Sequence, residues 1–294
     1  MSEVTPQDVR WGGLETVLEP GSLSRARIRD LGSGLRFPLV DFEPELAPTF
    51  YDAVPFDFSR LSEWRPAPVL EATLARQPEG QRRLDAGCGA GRNVPCLLRG
   101  TEHVVVLDLS LQSLAHVASR FAVRPARGSV LRMPFADGSF DFVVCDGVAH
   151  CTPDPAGAIR QSARVTRPGG RLYVAVYRSG TVYQGLCTYL GGLLRAGRRL
   201  EHRRLSDVID RLAFAGYRVA TRLLKPGRSG HEAALRTIYE DYFQTPVASF
   251  HSEAWLTTTL EHCGMEVEQL EPCGNVWSVI ARRTTASGDR SARG

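Results

Sequence analysis

The sequence predicts an α/β protein built on a doubly wound, mostly parallel sheet. Three observations carry that prediction. Short continuous apolar runs stand where strands buried on both faces belong, as in His103-Val104-Val105-Val106-Leu107-Asp108. Stretches of helical periodicity alternate with them. Three glycines at alternate positions, Gly87, Gly89 and Gly91, join one strand to the helix after it.

Taken in order, residues 1–48 are rich in glycine, proline and charge and read as a partly ordered arm. Within it, Leu35-Arg36-Phe37-Pro38-Leu39-Val40 is a short strand or docking segment. Leu84 to Ala86 ends the first core strand, and a helix begins near Val94. After the second strand, Ser110 is placed to cap a helix in which Leu111, Leu114, Ala115 and Ala118 recur at helical spacing. Phe140 to Cys145 is a buried strand, and Pro155 opens a helix running toward Thr166. Pro168-Gly169-Gly170 ends that helix, and Arg171 to Tyr177 is a further strand.

From Ser179 to about Phe250 the rhythm breaks. Helical patterns over Val182–Leu194, Leu205–Leu224 and Glu232–Phe243 form an insertion, expected to fold as a cap over the crevice beyond the strand ends. Glu253–Cys263 then reads as a helix, with Met265–Leu270 and Asn275–Arg282 as strands. The domain reading is an arm over 1–48, a core over 49–179 and 251–283, a cap over 180–250 and a disordered tail over 284–294.

Composition narrows the function. At 294 residues with 43% hydrophobic content, the chain has material for a sizeable core. No apolar run approaches the roughly 18–20 residues of a membrane span, and no secretory signal is legible. The expectation is therefore a cytoplasmic protein with no membrane partner. The seven cysteines are odd in number, scattered and without a C-x-x-C pair, which argues against a disulfide framework or a structural zinc; no metal is expected. The net charge is +4, yet Lys225 is the only lysine. That bias marks a GC-rich coding genome rather than selection for phosphate binding, so a nucleic-acid partner is not expected.

The decisive segment is Leu84-Asp85-Ala86-Gly87-Cys88-Gly89-Ala90-Gly91-Arg92-Asn93. Its G-x-G-x-G spacing with Arg92 differs from the dinucleotide fingerprint, which wants a small residue one place later. Asp85, two places before the first glycine, suits a ligand bearing an ammonium group better than one bearing phosphates. Asp108, at the end of the next strand, is placed to accept both hydroxyls of a ribose. Either aspartate alone is also compatible with a strand-end turn former.

These residues resemble motif I and the second-strand acid of the class I, Rossmann-like, S-adenosylmethionine-dependent methyltransferases of small-molecule type. The resemblance continues through Met133-Pro134-Phe135-Ala136-Asp137-Gly138-Ser139-Phe140-Asp141 and Arg164-Val165-Thr166-Arg167-Pro168-Gly169-Gly170. Gly147 to Pro155 resembles the loop that borders the cofactor after the fourth strand. The resemblance implies seven strands with the last antiparallel, and a cap inserted after the fifth. It implies S-adenosyl-L-methionine as cofactor, with Asp85, Gly87 and Gly89 along its methionine part. Asp108 would hold the ribose, Leu109 would lie against the adenine, and Val130 and Leu131 would flank the adenine edge. Cys88, Gly91 and Asp146 join this cofactor-binding set, and Tyr51 is a lid residue or an ordinary packing residue of the arm. The family's usual Gly-Asp is here Gly128-Ser129, so the adenine amino group meets a hydroxyl without charge assistance.

For the chemistry, His150 and then His251 are the candidate bases. The alternatives are a loop histidine bonded to backbone and a neighbour of a helix N-terminus. Tyr177, Tyr183, Tyr239, Tyr242 and Phe243 are the cap's own core or the wall of an aromatic acceptor pocket. The basic run Arg195, Arg198, Arg199, Arg203 and Arg204 is a solvated face or a draw for an anionic substrate. The leading reading is methyl transfer to a small molecule, with a specialised metabolite as one acceptor class, by a monomer or homodimer. The alternatives are an RNA or protein acceptor and a cofactor-binding scaffold without turnover.

Overall fold

The structure, a computed structural model, describes residues 13–29, 36–46, 52, 65–199, 203–224, 235–236, 239–240, 243 and 245–285. Its strands are β1 (Arg27–Arg29), β2 (Leu39–Asp41), β3 (Arg83–Ala86), β4 (Val104–Asp108), β5 (Arg124–Arg127), β6 (Phe140–Asp146), β7 (Thr166–Tyr177), β8 (Met265–Cys273) and β9 (Val276–Arg283). The helices used below are α1 (Pro68–Leu74), α2 (Val94–Leu97), α3 (Leu111–Arg120), α4 (Pro155–Val165), α5 (Val182–Arg199), α6 (Arg203–Leu224) and α7 (Glu253–His262).

One sheet holds all nine strands in the order β1-β2-β5-β4-β3-β6-β7-β9-β8. The pairs β2–β5, β5–β4, β4–β3, β3–β6 and β6–β7 are parallel, whereas β1–β2, β7–β9 and β9–β8 are antiparallel. The doubly wound plan and the antiparallel last strand stand as the sequence predicts. The strand count differs: the arm adds β1 and β2 to the expected seven. Strand β5, Arg124-Pro125-Ala126-Arg127, carries no apolar run and is not among the strands read from periodicity.

Alternation along each strand divides the core into two layers. Leu84, Val105, Leu107, Val143, Cys145, Leu172 and Val174 face a layer containing Ile159 and Ala163 of α4 and Leu256 and Leu260 of α7. Val104, Val106, Phe142, Val144 and Tyr173 face the other layer, with Leu70 and Leu74 of α1, Val94 of α2, and Leu114 and Val117 of α3. Both faces are therefore covered, which is why these strands are apolar at successive positions. The helix starts are set by side-chain caps. Ser110 accepts from the Ser113 N–H at 3.2 Å, Asp154 from the Gly157 N–H at 2.8 Å, and Ser252 from the Trp255 N–H at 3.2 Å.

The arm is tied in by charge as well as by strand pairing. Arg127 of β5, 2% exposed, donates to the Asp41 carboxylate at 3.4 Å and to the Glu43 and Leu46 carbonyls at 3.0 and 3.2 Å. A buried guanidinium requires such partners, because desolvation is otherwise strongly unfavourable. Of the expected tail over 284–294, residues 286–294 lie outside the described residues.

Candidate cofactor and active site

The glycine loop leaves β3 at the carboxyl edge of the sheet, where the backbone N–H groups of Gly87 and Cys88 both donate to the Leu107 carbonyl, at 2.7 and 3.0 Å. Its three glycines do different jobs. A β-carbon on Gly87, at φ 81°, would stand 2.3 Å from the Val148 side chain, so this position lets the loop after β6 pack against the turn. A β-carbon on Gly91 would stand 2.9 Å from Val117 of α3. At Gly89, φ 47°, nothing lies within 4 Å, so here the bare backbone faces open space. Cys88 between them is buried, and burial pushes its thiol well above the usual range.

Asp108 stands beside this opening. Its carboxylate accepts from the Gly89 N–H and the Ser110 N–H, each at 2.8 Å. Burial pushes its pKa up, and those backbone donors offset part of the shift. A carboxylate has about four lone-pair directions, so acceptor capacity remains for a diol. Asp52 approaches from the arm side, accepting from the Ser110 hydroxyl at 2.9 Å, a neighbour that sequence reasoning missed. Tyr51, the residue before it, lies outside the described residues.

Asp85 is fully buried, and neither carboxylate oxygen has a well-formed hydrogen bond. Burial first, and then the charge of Asp146, push its pKa up to about 7, while Arg92 and Asn93 act in the opposite sense. Asp146, at the end of β6, accepts from Arg92 at 2.6 Å and from the Asn93 amide at 3.2 Å. The Arg92 bond ties the helix entry to the loop after β6, across 54 positions of sequence. A buried carboxylate without partners is costly, and a cationic ligand group placed there would satisfy it. Val130 is buried and Leu131 partly so. The Ser129 hydroxyl already accepts from the Leu131 N–H at 3.2 Å.

The two histidines are brought together at the end of β7. His150 is 1% exposed, lies against Tyr177 with ring centres 3.7 Å apart and planes tilted by 34°, and accepts the Tyr177 N–H on Nδ1 at 3.3 Å. Burial, and then the neighbouring His251, lower its pKa to about 3, so it is neutral near pH 7. With the Nδ1 lone pair taken, the proton sits on Nε2. His150 is thus bonded to backbone through Nδ1, the arrangement that the loop-histidine alternative describes.

His251 stacks on Trp255 at 3.7 Å and is half-buried, which lowers its pKa. Its Nε2 lies 2.8 Å from the Ser249 hydroxyl. That hydroxyl donates to the His150 carbonyl at 3.1 Å, so the His251 Nε2 is the donor and its lone pair is on Nδ1. Tyr177, Tyr183 and Phe250 pack around this junction, with ring centres 5.0 to 5.7 Å apart. Tyr239 and Phe243 instead join Leu194 in a core of the helical insertion, in keeping with the reading of these aromatics as the cap's own core. Tyr242 and the side chains of Arg195, Arg198, Arg199, Arg203 and Arg204 lie outside the described residues.

A cavity of about 340 Å³ opens at the opposite ends of the strands, lined by Arg82, His103, Arg124 and Asp141 among others. Its lining includes neither the glycine loop nor Asp85, Asp108, His150 or His251. Among the described residues no cluster of His, Cys, Asp and Glu has the arrangement of a metal site.

Residues 84–174 match the methyltransferase-domain family. An uncharacterized methyltransferase of Mycobacterium sp. (strain JLS) is 34% identical over 163 residues, which is 53% of this chain and 63% of that protein. The demethylmenaquinone methyltransferase of Beutenbergia cavernae is 39% identical over 131 residues, 43% of this chain and 51% of that one. The chain thus spans between half and two thirds of the length of these curated relatives. Among solved structures, a chain from the complex of the Haloferax volcanii Trm112 methyltransferase activator with a methyltransferase superposes with a TM-score of 0.55. It is 15% identical, with 82% of this chain and all of that one covered, a likeness of fold. Over residues 84–174 the chain thus carries a segment similar to the methyltransferase domain, in a fold like that of a solved methyltransferase complex.

Proposed function

We propose that this chain transfers a methyl group from S-adenosylmethionine to a small-molecule acceptor. The observation that carries the reading is Asp85, a wholly buried carboxylate with no well-formed hydrogen bond on either oxygen, next to a glycine loop that is open at Gly89. The residues present fit the family's cofactor. Asp85 offers a counter-charge for an ammonium group, Asp108 keeps acceptor capacity for the ribose diol, and Leu109, Val130 and Leu131 supply apolar flanks for the base. Cys88, Gly91 and Asp146 act by holding the loop and its neighbour in place. When bound, this cofactor supplies an electrophilic methyl group on a positively charged sulfur.

The chain's own work is then to bring an acceptor to that edge and keep water away. Tyr177, Tyr183 and Phe250 form an aromatic wall beside the loop after β6 that suits a flat, apolar acceptor. The Beutenbergia relative, named for a small-molecule acceptor, supports the same class. His251, neutral near pH 7 with its Nδ1 lone pair uncommitted to Ser249, is the residue left to receive an acceptor's proton. His150 holds the end of β7 in register for it.

Titration calorimetry with S-adenosylhomocysteine tests this. The wild-type chain is expected to bind, and Asp108→Ala to weaken binding by about 1–3 kcal/mol with the fold intact. Folded wild-type protein that gives no heat overturns the reading.

A further inference from the structure

The hairpin of α5 and α6 carries more apolar surface than the fold covers. On α5, Tyr183, Cys187, Leu190 and Leu194 are buried or partly buried. Val182, Leu186 and Tyr189, repeating at spacings of four and three, are instead 84%, 50% and 82% exposed. At about 100° per residue these three fall within roughly 60° of one another, beside the covered stripe. Helix α6 repeats the pattern. Ile209, Ala213, Phe214 and Tyr217 pack against the cluster of Leu194, Tyr239 and Phe243. Val208, Leu212 and Val219 are 52%, 69% and 57% exposed, with exposed Ala215 between them. Six of the eight large apolar side chains exposed among the described residues belong to these two stripes, so the apolar surface is concentrated rather than scattered.

Charge identifies what covers them. Residues 182–225 contain eight arginines and Lys225 against Glu201, Asp207 and Asp210, a net of +6. The whole chain is +4, so everything outside this segment sums to −2. Exposed Arg211 directly borders Val208 and Leu212. A second copy of the hairpin would bring two segments of the same net positive charge together, and a neutral apolar partner would leave that net charge uncompensated. An interface that is apolar beneath and anionic at its surface meets both requirements.

We infer that the α5–α6 hairpin docks on an anionic lipid surface, its exposed apolar stripes entering the headgroup layer while its net positive charge is balanced by lipid phosphates. The hairpin lies on the bilayer rather than across it, since among the described residues no helix is long and apolar enough to cross a membrane. This revises both the expectation of no membrane partner and the solvated-face reading of the basic run. It does not depend on methyl transfer.

Co-sedimentation of the full chain with phosphatidylcholine vesicles, with and without phosphatidylglycerol, tests it. Binding is expected only where phosphatidylglycerol is present and is expected to weaken as salt is raised. The double variant Leu186→Glu, Leu212→Glu should bind roughly tenfold less or weaker still. If that variant does not fold, Tyr189→Glu alone, at an 82% exposed position, should still reduce binding. No binding to the anionic vesicles, equal binding to neutral ones, or binding untouched by these variants overturns the inference. A concentration-dependent dimer in sedimentation velocity that the double variant abolishes, without vesicle binding by the wild type, assigns the stripes to a second copy and overturns it as well.

Discussion

At the carboxyl edge of the sheet the chain buries charge and leaves it short of partners, whereas on the α5–α6 hairpin it exposes apolar side chains and leaves them uncovered. Asp85 is the clearest case of the first, and Val182, Tyr189 and Leu212 of the second. Each departs from what an isolated domain would do to lower its free energy, and each marks a place where something else completes the structure. They differ in grain. The edge is specific to single atoms, because one carboxylate oxygen out of place changes what is bound. The hairpin is a broad surface, where summed area and charge matter and no single residue decides.

That contrast can be broken or sharpened, starting where the largest effect is expected. Gly87→Ala puts a methyl 2.3 Å from Val148 at φ 81°, and should destabilise the protein by about 3 kcal/mol or more. Gly89→Ala, at φ 47° with open space around it, should cost only about 1–2 kcal/mol while impairing cofactor binding. Urea denaturation of the two variants checks this, and equal losses would remove the distinction between a packing glycine and a ligand-facing one.

The pH dependence of stability comes next. The pKa of Asp85 is raised from 3.8 to about 7 in the fold. Its contribution is therefore fully present below pH 3.8 and is lost as pH rises through about 7, because the folded state holds the proton more tightly. Asp85→Asn should lack this slope, so the melting-temperature difference between variant and wild type should widen from pH 4 to pH 7 in the variant's favour. A constant difference would show that the carboxylate is better solvated than its burial indicates. With S-adenosylhomocysteine, whose ammonium favours the ionised carboxylate, wild type should release protons on binding near pH 6, measurable from the buffer dependence of the calorimetric heat.

The smallest effect is expected on the hairpin. Leu212→Glu, at a 69% exposed position, should change stability by no more than about 0.5 kcal/mol. A loss of several kcal/mol in chemical denaturation would mean that Leu212 is covered within the folded chain.

Legibility follows the same division. The glycine loop, the β4 valines, Asp108 and the Ser110 cap were readable because each is a local pattern, a fixed spacing or a run. Strand β5 was not, since Arg124-Pro125-Ala126-Arg127 takes its extended form from β2 and β4 on either side, and its charge is met by carbonyls and Asp41 distant in sequence. The approach of Arg92 to Asp146 was equally hidden, as was the occupied Nδ1 of His150, because both depend on where β6 and β7 end relative to other elements. On the hairpin the spacing alone shows two apolar stripes per helix but not which of them is covered.

The link between Arg127 and Asp41 has a further consequence. The family's shared segment begins at residue 84, yet its outermost strand encloses a cation whose counter-charge and two of whose carbonyl acceptors come from Asp41, Glu43 and Leu46. Without them, that cation would be stranded in an apolar setting and the flank of β5 would lie bare. The arm is thus part of the chain's cooperative unit of unfolding, and a protein that shares only the common segment must close that flank by other means.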